Sequence, residues 1–390
     1  MKYNFDEIID RRDTDAIKIE RCKALFGTDD VLPLWVADMD FRTPNFIFDA
    51  IKTRCEHPIL GYSKLPKGFI PALTTWIKSL HNWDVKCEWV GFLPGIVSGI
   101  AFAVQTYTDL GDEIIIQPPV YYPFIHVVQK AERSLVYNQL LEKNGKFEMD
   151  FEDLERKITS KTRMLILCNP HNPGGRAWDA KTLERLAEIC AKHNIVVVSD
   201  EIHSDLMLNN QKHIPFATVS EAAANISLTF MAPTKTFNMP GLVSSSYIIP
   251  NAALRSKFAD YLEKIDQAGG NTFAYVATQA AYEKGAEWRE QMLAYVEENI
   301  HYVIDFLKTN IPQIKPMVPE ATYLLWLNCE ALGMQTDDLF RFFVDEAGIG
   351  LNKGTVFGPG GEYHLRLNTA CPRSVLEKAL KQLHAAVKNQ

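Results

Sequence analysis

Residues 195–205 read IVVVSDEIHSD, four consecutive β-branched aliphatics and a serine running directly into an acid. A run so short and so uniformly apolar has no polar face, so it reads as a strand buried on both sides, as in a parallel sheet covered by helices. Runs of the same kind recur at Glu113–Gln117 (EIIIQ), Arg163–Cys168 (RMLILC), Ile226–Met231 (ISLTFM) and Ser245–Ile249 (SSYII). Between them Ile96–Tyr107, Lys181–His193 and Ala252–Lys264 carry apolar residues at helical spacing. This alternation over residues 88–265 predicts an α/β fold with a doubly wound, mostly parallel sheet.

Beyond Gly270 the pattern changes. Long helices at Phe273–Lys284 and Glu287–Lys308 lead to a Pro-bearing stretch, Ile311–Pro319, that reads as a break. A strand candidate at Tyr323–Leu327, a helix at Thr336–Ala347, Gly-rich punctuation at Gly354–Gly361, a strand at Glu362–Leu367 and a helix from Pro372 then compose a smaller α+β unit. The expected division is an N-terminal segment 1–50 packing with the small domain, a large domain 51–285 and a small domain 286–390.

Composition narrows the partners. The 390 residues hold 41 Lys and Arg against 48 Asp and Glu, a net charge of −7, which argues against nucleic acid and anionic membranes and for small molecules. The seven cysteines form an odd set with no C-x-x-C pair, which fits free thiols in a reducing cytoplasm and predicts no metal site. The first twenty residues lack the apolar core of a secretory signal, and no run approaches the length of a membrane span.

Several candidate chemical groups follow strands directly. In open α/β sheets ligands bind beyond the carboxyl ends of strands, where Asp200 lies; a carboxylate there needs a cation. Read alone, Asp200 is a strand-end turn or N-cap. The run Ile226–Lys235 ends in APTK, so Lys235 falls at the same sheet edge, and a semi-buried lysine loses proton affinity and becomes a competent nucleophile or base. CNPHNPGGR (168–176) is a rigid turn in which Asn172 can donate to an anionic oxygen. LPGIVSG (93–99) opens a helix whose free N–H groups suit a phosphate. In QPPVYYPF (117–124), Tyr121 or Tyr122 can stack on a planar ring. Arg366, in HLRLNTACPR (364–373), calls for an acidic partner: an internal salt bridge or a substrate carboxylate. Together these groups match the needs of pyridoxal phosphate carrying an amino acid. No G-x-G-x-x-G supports the competing dinucleotide reading.

At this point the sequence resembles the fold-type I pyridoxal-phosphate enzymes of the class I/II aminotransferase group, and within it the MalY/PatB-type carbon–sulfur β-lyases (cystathionine β-lyases). The resemblance runs through FDEIIDRRDTDAIKIE (5–20), LPLWVADMDF (32–41), GYSKLP (61–66), QPPVYYPF, CNPHNPGGR, VSDEIHSDL (198–206), KHIPF (212–216), APTKTFN (232–238) and RLNTACPR (366–373). It implies that Lys235 binds the cofactor covalently, beside Thr234, and that Asp200 pairs with the ring nitrogen. Asn172 would bond the phenolic oxygen, Tyr121 would stack on the ring, and the amides of Ile96 and Val97 would hold the phosphate. Tyr62 would reach the same site from a partner subunit, making a homodimer with shared active sites. Arg366, with the backbone near Ala37, would clamp the substrate carboxylate beside Tyr121 and Asn172. His203 stands where related enzymes have Tyr, near the cofactor.

Two departures stand out. Val243 occupies a position where many aminotransferases place an Arg, so the phosphate charge must be met otherwise. Gly174–Gly175 replaces a more usual Val-Gly pair, which predicts a looser loop. The implied reaction is α,β-elimination from L-cystathionine or another S-substituted cysteine, with Lys235 removing the Cα proton and a thiol, pyruvate and ammonia as products. Transamination shares the early steps and stays open, as does a non-catalytic regulatory protein on the same fold; intact Lys235 and Asp200 favour an enzyme.

Overall fold

The computed structural model describes residues 2–390. Its large sheet has seven strands in the spatial order Val90–Leu93, Ser245–Ile248, Ser227–Met231, Val196–Asp200, Thr162–Cys168, Glu113–Ile116, Ser134–Tyr137. The last five pair in parallel, whereas Ser245–Ile248 runs antiparallel to both of its neighbours.

The side-chain alternation of the strands explains the double winding. Ile114, Ile116, Met164, Ile166 and Val198 face one way and pack with residues of helices Ile96–Tyr107, Pro123–Lys130 and Ala252–Lys264. Ile115, Leu165, Leu167 and Val197 face the other way and pack against Leu183 and Leu186 of helix Ala180–Lys192. Each fully buried aliphatic contributes about 1.5–3 kcal/mol, so both faces demand a covering layer. Helix Ala180–Lys192 supplies Leu183, Leu186, Ala187 and Cys190 as one buried stripe, and its start is fixed by the Asp179 carboxylate accepting from the Thr182 N–H at 2.9 Å.

The strand register sets up the site. Cys168 lies opposite Asp200, and Asp200 opposite Phe230, so the loops that follow these strands leave the sheet side by side.

The smaller sheet is antiparallel, in the order Lys315–Met317, Leu324–Asn328, His364–Asn368, Asn352–Lys353. Its core is continuous with helices Ala286–Asn310 and Arg373–Lys388. The stretch 311–319, expected as a plain break, contains the edge strand Lys315–Met317; Pro316 is tolerated there because an edge strand has one unpaired side. The helix expected at 336–347 is α-helical over Thr336–Arg341 and then widens by one residue per turn, the Ala347 N–H bonding the Phe342 carbonyl at 3.1 Å. Near the N-terminus, Leu32–Pro33 pairs in parallel with Ile349–Gly350. Among the described residues no helix is long and apolar enough to cross a membrane.

Candidate active site

A cavity of about 180 Å³ opens at the carboxyl edge of the large sheet, lined among others by Ala37, Tyr121, Asn172, Asp200, His203 and Lys235. Asp200 is the last residue of its strand and is buried; its Oδ1 accepts from the Ile202 N–H at 3.1 Å. Among the described residues no cation pairs with it, and burial, with Glu201 close by, pushes its pKa up to about 7. A buried carboxylate without a counterion is costly unless a ligand provides the positive charge.

Lys235 reaches the same cavity from the turn after Ser227–Met231, and its Nζ donates to the Ala37 carbonyl. Burial lowers its pKa to about 8, against the opposing pull of Asp38 and Asp200 and with the help of Arg366. The Ala37 carbonyl also accepts from the Tyr323 hydroxyl at 2.9 Å. Tyr323 in turn packs edge-on against the His203 ring, centroids 6.2 Å apart. Buried His203 is held neutral, its pKa depressed to about 3, and its Nδ1 has no partner.

Arg366 sits in the middle of strand His364–Asn368, 3% exposed. Its guanidinium donates to Asn172 Oδ1 at 2.9 Å, the Trp35 carbonyl at 2.8 Å and Asn352 Oδ1 at 2.6 Å, and lies 5.0 Å from the Phe357 ring centre. All these acceptors are neutral and Nε is unpartnered, so the internal salt bridge is absent and burial draws the pKa down to about 10.

Ile96 and Val97 open helix Ile96–Tyr107 at the cavity wall, their N–H groups being in the first turn, where an α-helix has no internal acceptors for them. Thr234 is buried beside them. Val243 stands in a left-handed conformation, φ 51°, at the end of the turn Pro240–Leu242, with a methyl 3.9 Å from where a Cβ on Gly95 would lie. Tyr121 lies over Phe124 and Tyr122, ring centres 5.9 and 5.5 Å away, and lines the cavity. Arg366 does not line the cavity but touches it through Asn172, whereas Tyr62 is outside: it is fully exposed on the segment before helix Phe69–His81 and does not line the cavity of its own chain.

One expectation is corrected. The loop with Gly174–Gly175 is buried and closely packed, not loose, because a Cβ on Gly174 would lie 2.4 Å from the Phe147 ring, and the Gly175 carbonyl accepts from the N–H groups of Glu320 and Ala321 at 2.8 and 3.0 Å.

The unmet demands of the pocket test it for a cofactor. A buried acid lacks a cation, a buried guanidinium lacks an anion, a lysine amine is poised near neutrality, and the first turn of a helix borders the cavity. Pyridoxal phosphate bearing an amino acid has a protonatable ring nitrogen, an aldehyde carbon, a phosphate and a carboxylate, one for each. The residues fit it.

Sequence reading passed over several lining and contact groups: Tyr323, Asn352, the Trp35 carbonyl, Cys168, Ile202 and Pro240. Tyr323 and Asn352 come from the small sheet, and only their packing on the large one brings them here. The specificity of WVADMDF was the available signal for the carbonyls of residues 35–37.

Comparison with known proteins agrees with this geometry. The family model for aminotransferase class I and II matches residues 29–383. Cystathionine beta-lyase PatB of Bacillus subtilis is 44% identical, with 98% of this chain and 100% of that protein covered. The crystal structure of cystalysin from Treponema denticola, which contains pyridoxal 5'-phosphate, superposes with a TM-score of 0.96 at 33% identity over 100% of both chains. A pyridoxal-phosphate-bound C-S lyase from Staphylococcus hominis gives a TM-score of 0.91 at 35% identity, covering 99% of this chain and 98% of that one.

Proposed function

The chain belongs to the aminotransferase class I and II family, and from that premise we propose that it is a pyridoxal-phosphate-dependent carbon–sulfur β-lyase. It cleaves L-cystathionine or related S-substituted cysteines by α,β-elimination to a thiol, pyruvate and ammonia. The observation that carries this reading is the meeting, in one buried pocket, of an acid without a cation, a guanidinium without an anion and an amine held near neutrality. The lyase names of PatB and of the Staphylococcus hominis enzyme favour elimination over transamination.

Bound in the pocket, pyridoxal phosphate supplies an electron sink for negative charge at the substrate Cα. Lys235 would anchor it through Nζ, Asp200 would stay ionised against its ring nitrogen, and the Ile96 and Val97 amides with Thr234 would receive its phosphate. Asn172 would serve the phenolic oxygen, Tyr121 would cover the ring and His203 would flank it as a neutral imidazole. Arg366 grips the substrate carboxylate, which supplies the anion that its buried guanidinium lacks, with Ala37 and Tyr121 bounding the substrate. Set free when the substrate amine takes its place, the Lys235 Nζ, whose pKa burial lowers to about 8 in the cofactor-free chain, would take the Cα proton and return it later in the cycle. The enclosed pocket keeps water from the reacting carbon while the carbon–sulfur bond breaks.

The same proposal includes a homodimer. Tyr62 stands fully exposed with Ile59 and Leu60, an apolar segment suited to burial against a second copy whose site Tyr62 completes. It also includes the division at residues 50 and 285. The seven cysteines, all free, support a cytoplasmic location.

An absorbance scan followed by a pyruvate assay with L-cystathionine and no keto acid tests the reading. The expected result is the yellow absorbance of lysine-bound cofactor, lost in Lys235→Ala, with acceptor-independent pyruvate. Turnover only with added keto acid makes the protein an aminotransferase, and no absorbance after addition of cofactor sinks the catalytic reading.

A further inference from the structure

The stretch FDEIIDRRDTDAIKIE and the charged residues of WVADMDF supply no group to the chemistry above, yet the structure joins them immediately behind it. Lys18 is 1% exposed and its Nζ donates to Asp40 at 2.7 Å, with Asp38 at 3.8 Å. Arg11 takes Asp38 in a two-pronged grip, 3.1 and 2.6 Å, and reaches Asp40 at 2.9 Å. Two cations thus hold two carboxylates that flank the main chain at residue 39.

That main chain is the part that matters. From Trp35 to Asp38 every carbonyl accepts a side-chain hydrogen bond. The Trp35 carbonyl accepts from Arg366, the Val36 and Asp38 carbonyls accept from Asn368 at 2.6 Å each, and the Ala37 carbonyl accepts from Lys235 and Tyr323. On its other side the strap is tied to Asn238, three residues after Lys235. Asn238 accepts from the Met39 N–H at 3.0 Å and donates to the carbonyls of Met39 and Phe41. A single segment therefore touches the amine and the guanidinium at once, and beyond residue 38 it is held by the ion cluster, by Asn238, by the Asp40 N–H donating to the Ala370 carbonyl at 2.9 Å and by buried Met39 and Phe41.

We propose that Arg11, Lys18, Asp38 and Asp40 are positioning residues that lock the 35–38 strap, so that its carbonyls set Lys235 and Arg366 in register with each other. The proposal rests on the assignment of Lys235 as the base and Arg366 as the carboxylate clamp. A buried network of this kind fixes one arrangement because any half-broken state leaves a charge without a partner. Asp38 has a second effect, since its charge favours the protonated Lys235 amine and opposes burial and Arg366. The other groups around that amine are Asp200, His203 and the Tyr323 hydroxyl, which shares its acceptor.

Four variants test this: Arg11→Gln, Arg11→Lys, Asp38→Asn and, as a control on an exposed pair with Asp10, Arg12→Gln. The holoenzyme is assayed for kcat and KM with L-cystathionine. The cofactor-stripped chain is assayed for the pH at which its rate of pyridoxal phosphate uptake is half-maximal, a readout of the Lys235 proton that needs no turnover. With the strap released, Arg11→Gln raises KM and lowers kcat together, about tenfold or more in kcat/KM, the scale of a misplaced catalytic group. Arg11→Lys recovers part of both, because it restores charge without the fork. Asp38→Asn moves the uptake midpoint to lower pH, since a negative charge that held the proton is gone. Arg12→Gln behaves as wild type.

If KM and kcat in Arg11→Gln match wild type, or if only the melting temperature changes, or if the Asp38→Asn midpoint stays put, the proposal is overturned. Should Arg11→Gln not fold, Arg11→Lys and Asp38→Asn decide alone, by the KM and kcat shifts of the first and the midpoint of the second. A wild-type chain that takes up no cofactor sinks the lyase reading and this inference with it, whereas an active wild type whose variants match it in kcat, KM and uptake midpoint sinks only the inference.

Discussion

Asp200 shows what it costs to keep a charge ready for a ligand. In the cofactor-free chain its pKa stands at about 7, raised by burial above its ordinary value of 3.8. Between those values the folded chain holds a proton that the unfolded chain releases, so stability falls as pH rises through that window and the loss is complete above pH 7. Asp200→Asn removes this burden. The expected outcome is a cofactor-free variant that melts higher than wild type at pH 8 and converges with it near pH 4, with cofactor affinity lost; equal melting temperatures at both pH values would contradict the assignment. Part of this logic is visible in sequence, because an acid at the end of an apolar strand and a lysine at the end of the next one need only the sheet to bring them together. The partners of Arg366 are not visible in the same way. Asn352 and the Trp35 carbonyl lie far from it in sequence and approach it only when the small sheet and the N-terminal strap have both packed.

At the scale of elements, strands buried on both faces announce themselves because every residue must be apolar, and residues 163–168, 195–199 and 226–231 do so. Val90–Leu93 and Ser134–Tyr137 are not legible: both lie at edges of the sheet, where one side is unpaired, and each is only four residues long, so composition carries a weak signal. The helix from Ile96 to Tyr107 is legible by its spacing, but its closeness to the sheet is not. A Cβ on Gly99 would lie 2.6 Å from Leu93 Cδ1 and 3.2 Å from the Phe230 ring, so glycine is what lets the helix start sit against the strands. Gly99→Ala forces the leucine or the helix to give, a strain of about 1–3 kcal/mol in a packed core. Because the Ile96 and Val97 amides ride on the same turn, we expect the melting temperature to fall and the cofactor Kd to rise together. A binding titration that returns the wild-type Kd would show that the helix start does not carry the phosphate.

For the whole molecule, the question is whether a site is finished within one chain. The cavity brings together residues from the N-terminal strap, five strand ends of the large sheet and, through Arg366, the small sheet, but Tyr62 points away from it into solvent. An exposed tyrosine beside exposed Ile59 and Leu60 is an odd surface for a monomer and a natural one for a symmetric interface, where the same patch on each copy faces its counterpart. The shared-site arrangement makes a prediction that no intrachain role for Tyr62 can imitate. Lys235→Ala and Tyr62→Ala each disable one contribution, so each homodimer is expected to be nearly inactive. Mixed one to one through unfolding and refolding, half of the dimers pair one chain of each kind. Such a dimer has one site with both defects and one with neither, the intact Lys235 and the intact Tyr62 coming from different chains. Activity should therefore return to about a quarter of the wild-type level, one of two sites in half of the dimers. If Tyr62 acts within its own chain, no site in the mixture has both groups and no activity returns, whatever the oligomeric state measured by light scattering.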